Sequence, residues 1–158
     1  MYYIAPMNLE NAMEISKWTY DEPYVLYSFK ECEETIHELL ENDYYACRDL
    51  SNRLFGYFCF GDAATIPTYE EGYDEDALDM GLGMNPEFCG IGQGLDFLNF
   101  GLEFAKKYKM NEKNKIRFTV ADFNKRAIHL YEKAGFKILR SVKHVKFEEK
   151  FNIMILNL

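Results

Sequence analysis

Three glycines at alternate positions, Gly90, Gly92 and Gly94, follow an Asn85-Pro86 stop and lead into a stretch of helical periodicity. Residues without a Cβ let the chain turn tightly and let a ligand come close to the backbone. The unpaired N–H groups of a first helical turn, together with the helix dipole, then form an anion site. A phosphate or diphosphate is its natural occupant. A Walker loop is excluded, because no G-K-[S/T] closes the motif. The dinucleotide fingerprint fits poorly as well. Its spacing is G-x-G-x-x-G, whereas this chain has G-x-G-x-G, placed after at least two strands.

Other chemistry-bearing residues are scattered. The four cysteines, Cys32, Cys47, Cys59 and Cys89, show no C-x-x-C and no paired spacing, so neither a disulfide framework nor a metal site is expected. A reducing, cytoplasmic setting follows from that usage. His37, His129 and His144 stand far apart in the sequence. Cys89 beside the glycine turn is a candidate acyl carrier, because a helix N-terminus lowers a thiol's pKa. From Met1 to Phe88 there are 4 basic and 19 acidic residues, and from Cys89 to Leu158 there are 14 and 7, for a total of −8. The net charge disfavours nucleic acid. The acidic half suits a cationic ligand and the basic half an anionic one.

The elements that must position these groups are readable from periodicity. Tyr2–Ala5 reads as a strand. Asn8 caps a helix bearing Leu9, Ala12, Met13 and Ile15, and Glu31–Glu41 forms a second with Ile36, Leu39 and Leu40 on one face. Asp43–Asp49 and Leu54–Phe60 flank a Ser51-Asn52 turn as a hairpin. Asp62–Asp76 is an acidic loop and Leu78–Met84 a strand. A helix runs from Gly92 to about Tyr108, with Leu95, Leu98, Leu102 and Ala105 on its apolar face. Ile116–Val120 is a strand, and Asn124 caps a helix bearing Ala127, Leu130, Tyr131 and Ala134, closed by Gly135. Phe136–Val145 and Phe147–Leu156 are closing strands. At 158 residues and 48% apolar, this is one mixed α/β domain spanning 1–158. The longest apolar run, Leu54–Phe60, is too short to span a membrane, and the N-terminus has no signal-peptide pattern.

The segment Asn124-Lys125-Arg126-Ala127-Ile128-His129-Leu130-Tyr131-Glu132-Lys133-Ala134-Gly135-Phe136 resembles the N-x-x-A-x-x-L-Y-E-K-x-G-F motif of the GCN5-related N-acetyltransferases. The glycine turn resembles that family's [Q/R]-x-x-G-x-[G/A] acetyl-CoA motif. Cys89 stands where relatives carry Arg or Gln, and Ile91 where they often carry Lys or Arg. Both motifs lie in the family's order and separation, and so do the elements.

The resemblance implies a mostly antiparallel twisted sheet of about seven strands flanked by about four helices. It implies acetyl transfer from acetyl-CoA to a primary amine by direct attack, without a metal. The coenzyme would lie against Leu82, Gly83, Met84, Cys89, Gly90, Ile91, Gly92, Gln93, Gly94, Leu95, Asn124, Ala127 and Tyr131. The amides of Leu82–Met84 would stabilise the developing oxyanion, and Tyr131 would protonate the departing thiolate. Asp79 and Asp62 are the leading candidates to take the amine proton, ahead of Glu70 and Glu71. The aromatics Trp18, Tyr20, Tyr24 and Tyr27 fall where relatives bind the acceptor, expected to be a cationic small molecule or a protein amine. Pairing through the last strand, common in the family, would give a homodimer. Two other readings are an acyl-CoA-binding module without activity and a nucleotide-binding protein.

Overall fold

The computed structural model describes residues 1–158. Its elements are β1 (Tyr2–Pro6), α1 (Leu9–Ser16), α2 (Glu33–Glu41), β2 (Tyr44–Asp49), β3 (Leu54–Phe60), β4 (Leu78–Met84), α3 (Gly94–Tyr108), β5 (Lys115–Ala121), α4 (Lys125–Lys133), β6 (Lys137–Lys143) and β7 (Lys150–Asn157). The seven strands form one open sheet in the order β1-β2-β3-β4-β5-β7-β6. The β1–β2, β2–β3, β5–β7 and β6–β7 pairs are antiparallel, while β4 and β5 run parallel. The parallel ladder joins Leu78 to Ile116 and Asp79 to Arg117, and β4 continues five residues beyond it. This is the mixed α/β class and the element order that the periodicity predicts.

Two compact units divide the chain, one of Met1–Cys59 with Leu82–Phe100, the other of Phe60–Gly81 with Gly101–Leu158. In the first, the Asn8 side chain accepts from the Asn11 N–H at 2.8 Å and so starts α1. The β2–β3 hairpin turns at Asn52, whose φ of 61° is the left-handed conformation that asparagine tolerates. Aromatic side chains fill its core. Phe58 stacks on Phe97 at 4.5 Å, and Phe55 lies 5.0 Å from Phe88 and 5.2 Å from Phe97. The inward stripe of α1 is rotated from the predicted one. Ala12 and Ile15 are buried with Asn11 and Ser16, while Leu9 and Met13 are exposed. Asn11 explains the rotation, since its side chain accepts from Arg48 Nη2 at 2.5 Å and draws a polar position inward. In α2 only Leu39 is buried, and Leu40 is exposed.

In the second unit the Asn124 side chain accepts from the Ala127 N–H at 3.1 Å, and Gly135 leaves α4 at φ 103°. Phe118 packs between Tyr131 at 4.3 Å and Phe136 at 5.2 Å. The acidic β3–β4 loop is not a solvated charge run. Arg140 forms two hydrogen bonds to the Glu75 carboxylate, at 2.8 and 2.6 Å, and an ion pair with Asp74. Lys113 pairs with Asp76 at 2.7 Å. Part of the charge asymmetry of the sequence is therefore spent on pairing within this unit. The last strand also differs from expectation. β7 lies between β5 and β6, so the free edge belongs to β6, where Ile138 and Leu139 are exposed. Pairing between copies through β7 has no open edge to use.

Candidate active site

The glycine turn has the geometry its composition predicts. Gly90 and Gly92 take φ values of 76° and 80°, where a side chain is strained, and nothing lies within 4 Å of a Cβ built on Gly92. The Phe97 N–H donates to the Gln93 carbonyl at 3.1 Å, so Gln93 is the N-cap of α3. The amides of Gln93, Gly94, Leu95 and Asp96 thus have no acceptor inside the helix. Those amides, an open approach and the dipole of a 15-residue helix suit a diphosphate. Asp96 in the first turn opposes an anion, a charge the motif does not register.

Strand alternation sorts the three expected oxyanion donors. The Asn85 N–H donates to the Phe55 carbonyl at 2.8 Å, toward β3. By alternation the Gly83 amide also faces β3, whereas Leu82 and Met84 face the opposite edge. The Met84 carbonyl on that edge accepts from the Tyr20 hydroxyl at 2.6 Å. Of the three, only the Leu82 and Met84 amides are thus turned to the edge away from β3. In the second unit, Tyr131 is 6% exposed and stacked on Phe118, seven residues after the Asn124 cap. Ala127 N–H is already taken by that cap.

The model of the acetyltransferase (GNAT) family matches residues 9–136. The chain belongs to the GNAT acetyltransferase family. The spermidine N(1)-acetyltransferase of Vibrio cholerae is 29% identical over 133 residues, covering 82% of this chain and 69% of that protein. A GNAT acetyltransferase of Bacillus anthracis has the same fold, with a TM-score of 0.73 at 15% identity over 99% of this chain and 94% of the other. So does a protein of Salmonella typhimurium described as an acetyltransferase with its cofactor acetyl-CoA. That match has a TM-score of 0.64 at 16% identity, covering 99% and 94%.

The acetyltransferase is thus an acetyl-CoA-dependent N-acyltransferase, with acetyl-CoA as co-substrate. No helix is long and apolar enough to cross a membrane.

The remaining expected site residues of this acetyltransferase separate. Asp79 is committed to the core of its unit. Arg117 Nε donates to its Oδ1 at 2.6 Å and Nη2 to its Oδ2 at 2.8 Å. Both oxygens of a base candidate are occupied, and Asp79 precedes Leu82 by three residues, roughly 10 Å along a strand. Asp62 lies in the exposed 3-10 turn Gly61–Ala64. That turn follows the far end of β3, because the near end, Leu54 and Phe55, is bonded to Asn85. Glu70 accepts from the Lys143 N–H at 2.7 Å, and Glu71 is exposed in the same loop. Of these carboxylates, Asp79 and Glu70 already accept hydrogen bonds from within the chain, while Asp62 and Glu71 are exposed.

Cys89 lies five residues before α3, and its thiol is turned to the Asn85 and Met84 carbonyls, at 3.6 and 3.8 Å. Of the aromatic set, Trp18 is buried, Tyr20 half-buried, and Tyr24 and Tyr27 form a half-buried 3-10 turn.

Asn85 is the residue that sequence reading undervalued, taking it only as a strand stop. It is buried. Its Nδ2 donates to the Leu54 carbonyl at 3.0 Å, and its Oδ1 accepts from the Glu87 N–H at 3.0 Å. It fixes the end of β4 and the start of the glycine loop together. The Asn-Pro pair before the glycines was the available signal, since asparagine bonds its own backbone two residues on. Replacing Asn85 with alanine leaves the Leu54 carbonyl and the Glu87 amide unsatisfied. We expect a loss of about 2 kcal/mol in urea unfolding and a raised KM for acetyl-CoA with a smaller change in kcat.

Proposed function

We propose that this enzyme moves the acetyl group of acetyl-CoA to a primary amine of a slender polycation, of the spermidine type, by direct attack of the amine. The observation that carries the acceptor class is the likeness to the Vibrio cholerae spermidine N(1)-acetyltransferase across 82% of the chain. The aromatic segment Trp18–Tyr27 supports it, because ring faces attract ammonium groups.

Acetyl-CoA supplies an activated thioester and a thiolate leaving group. The amides of Ile91 to Leu95 bind its diphosphate, and Leu82 and Met84 present the edge that aligns its arm. Their N–H groups, aimed where negative charge develops on the carbonyl oxygen, are worth about 3 kcal/mol each by the usual measure of such donors. By its place in the Asn124–Phe136 motif, the Tyr131 hydroxyl is the group that gives its proton to the departing sulfur, and the proton that the attacking nitrogen loses passes to solvent water, from which the phenolate is reprotonated. Asn124 orients α4 and so the tyrosine it carries.

The test is thiol release with acetyl-CoA and a panel of spermidine, spermine, a lysine peptide and an aminoglycoside. We expect spermidine or spermine to give the highest kcat/KM. Binding of acetyl-CoA without thiol release on any amine would instead mark an acyl-CoA-binding module, the reading that the Cys89 and Ile91 replacements favour.

A further inference from the structure

The ring of Tyr57 lies against β4 at Gly83. A Cβ built on Gly83 would stand 2.3 Å from Cε1 of that ring, 2.4 Å from Cζ and 2.6 Å from Oη. Only a residue without a side chain fits there, and no ligand atom can pass between the ring and the strand. Three further aromatics hold the ring. Trp18 stacks on it at 6.3 Å with 27° between planes, and Phe29 and Tyr44 tilt against it at 5.9 and 5.7 Å. Trp18 and Tyr44 are buried, so these walls are anchored in the core of their unit, while Tyr57 itself is only half-buried and presents the remainder of its ring.

One residue further along β4, Tyr20 donates its hydroxyl to the Met84 carbonyl. Burial raises the pKa of that phenol, so it stays a donor throughout the working range. Tyr57 and Tyr20 thus meet Gly83 and Met84, and Trp18, Phe29 and Tyr44 back the Tyr57 ring. Met84 carries one of the two amides that the proposed function assigns to the thioester, and Gly83 lies between them.

We propose that Tyr57 is a specificity-determining residue for the acceptor. Its ring, fixed over Gly83, narrows the approach to the end of β4 so that an unbranched alkylammonium passes and a branched or cyclic one does not. This inference rests on the reading that Leu82 and Met84 present the thioester. An approaching amine must come from off the strand's edge, and on the Gly83 face the ring already fills the space. A slender ammonium can slide along the ring's exposed part, held by the attraction of a cation to an aromatic face. A substituent on the carbon bearing the amine collides with a ring that its neighbours do not allow to move. One methylene in a tight pocket discriminates by roughly 10- to 200-fold, which sets the scale.

The experiment compares kcat/KM for 1,4-diaminobutane and cyclohexylamine, with acetyl-CoA as donor. The proteins are the wild type, Tyr57→Phe, Tyr57→Leu and Tyr57→Ala. The wild type should favour the unbranched amine, and Tyr57→Phe should keep the ratio within about twofold, since the ring remains. Tyr57→Leu and Tyr57→Ala should move the ratio toward cyclohexylamine by about tenfold or more, with KM for acetyl-CoA within about twofold of wild type. If the alanine variant fails to fold, the leucine variant, which retains apolar volume, answers alone. An unmoved ratio in the folded variants overturns the proposal while amine transfer by the wild type stands. Absence of thiol release by the wild type on any amine removes the underlying functional reading instead, and this inference with it.

Discussion

Replacing Arg117 with alanine should lower the unfolding free energy by about 3–5 kcal/mol, with a fall in Tm on the order of 10 °C. Arg117 has 4% of its side chain exposed and Asp79 has 14%. The guanidinium meets Asp79 through two hydrogen bonds, donates Nη1 to the Glu75 carbonyl at 3.0 Å, and lies 4.9 Å from the centre of the Tyr73 ring. Its removal strands a carboxylate away from water, and that desolvation, more than the lost attraction, sets the cost. Urea unfolding of wild type, Arg117→Ala and the double variant Arg117→Met, Asp79→Leu separates the two contributions. The double variant should recover the greater part of the loss, because an apolar pair leaves no charge behind. It also decides whether Asp79 is the base. Continued acetyl transfer in the double variant assigns Asp79 to the core, while loss of transfer in a protein of restored stability would return it to the chemistry.

The same cluster gives the acid limb of stability a definite sign. Glu75 has its pKa held below its ordinary 4.5, first by the hydrogen bonds from Arg140 and then, against the opposing effect of burial, by the charges of Arg140 and Arg117. A carboxyl depressed in the folded state contributes stability that is complete above its unfolded value. That contribution is lost as the pH falls from about 4.5 toward the depressed value.

How much of this was legible beforehand depended on the range of the interaction. The Asn8 and Asn124 caps, the Asn52 turn and the positive φ at Gly90, Gly92 and Gly135 are local, set by residues within four positions, and all were readable. The β4 boundaries, Leu78–Met84, were read without error, because a short apolar run ended by Asn-Pro has few alternatives. What escaped depends on partners far away in sequence. Asp79 reads as an exposed acid until Arg117, 38 residues on, is placed beside it. Nothing in the strand Leu54–Phe60 singles out Tyr57 until Gly83, 26 residues on, is opposite it. Leu9 and Met13 satisfy helical periodicity, but Arg48, 37 residues from Asn11, decides which side of α1 turns inward. The conformation of the glycine turn is likewise local, whereas strand pairing was needed to learn that the Gly83 amide faces β3.

Tyr131→Phe should lower kcat by about 100-fold or more while leaving KM for acetyl-CoA within about twofold. The phenol ring packs at 4.3 Å on Phe118 and 6.1 Å from Phe136, and phenylalanine preserves both contacts. The stability change should therefore stay near 1 kcal/mol, the usual net worth of one hydroxyl hydrogen bond. Alanine at the same place would remove a buried ring and cost about 3–5 kcal/mol, so its loss of activity would not separate chemistry from folding. A proton donor to a leaving group acts only as the bond to sulfur breaks, and its removal subtracts from the transition state without weakening ground-state binding. The decisive measurement is thus kcat against KM in the phenylalanine variant, alongside its urea midpoint. An unchanged kcat would mean that water protonates the thiolate, and that Tyr131 serves α4 by packing alone. A fall in kcat matched by a rise in KM would point instead to a displaced coenzyme arm.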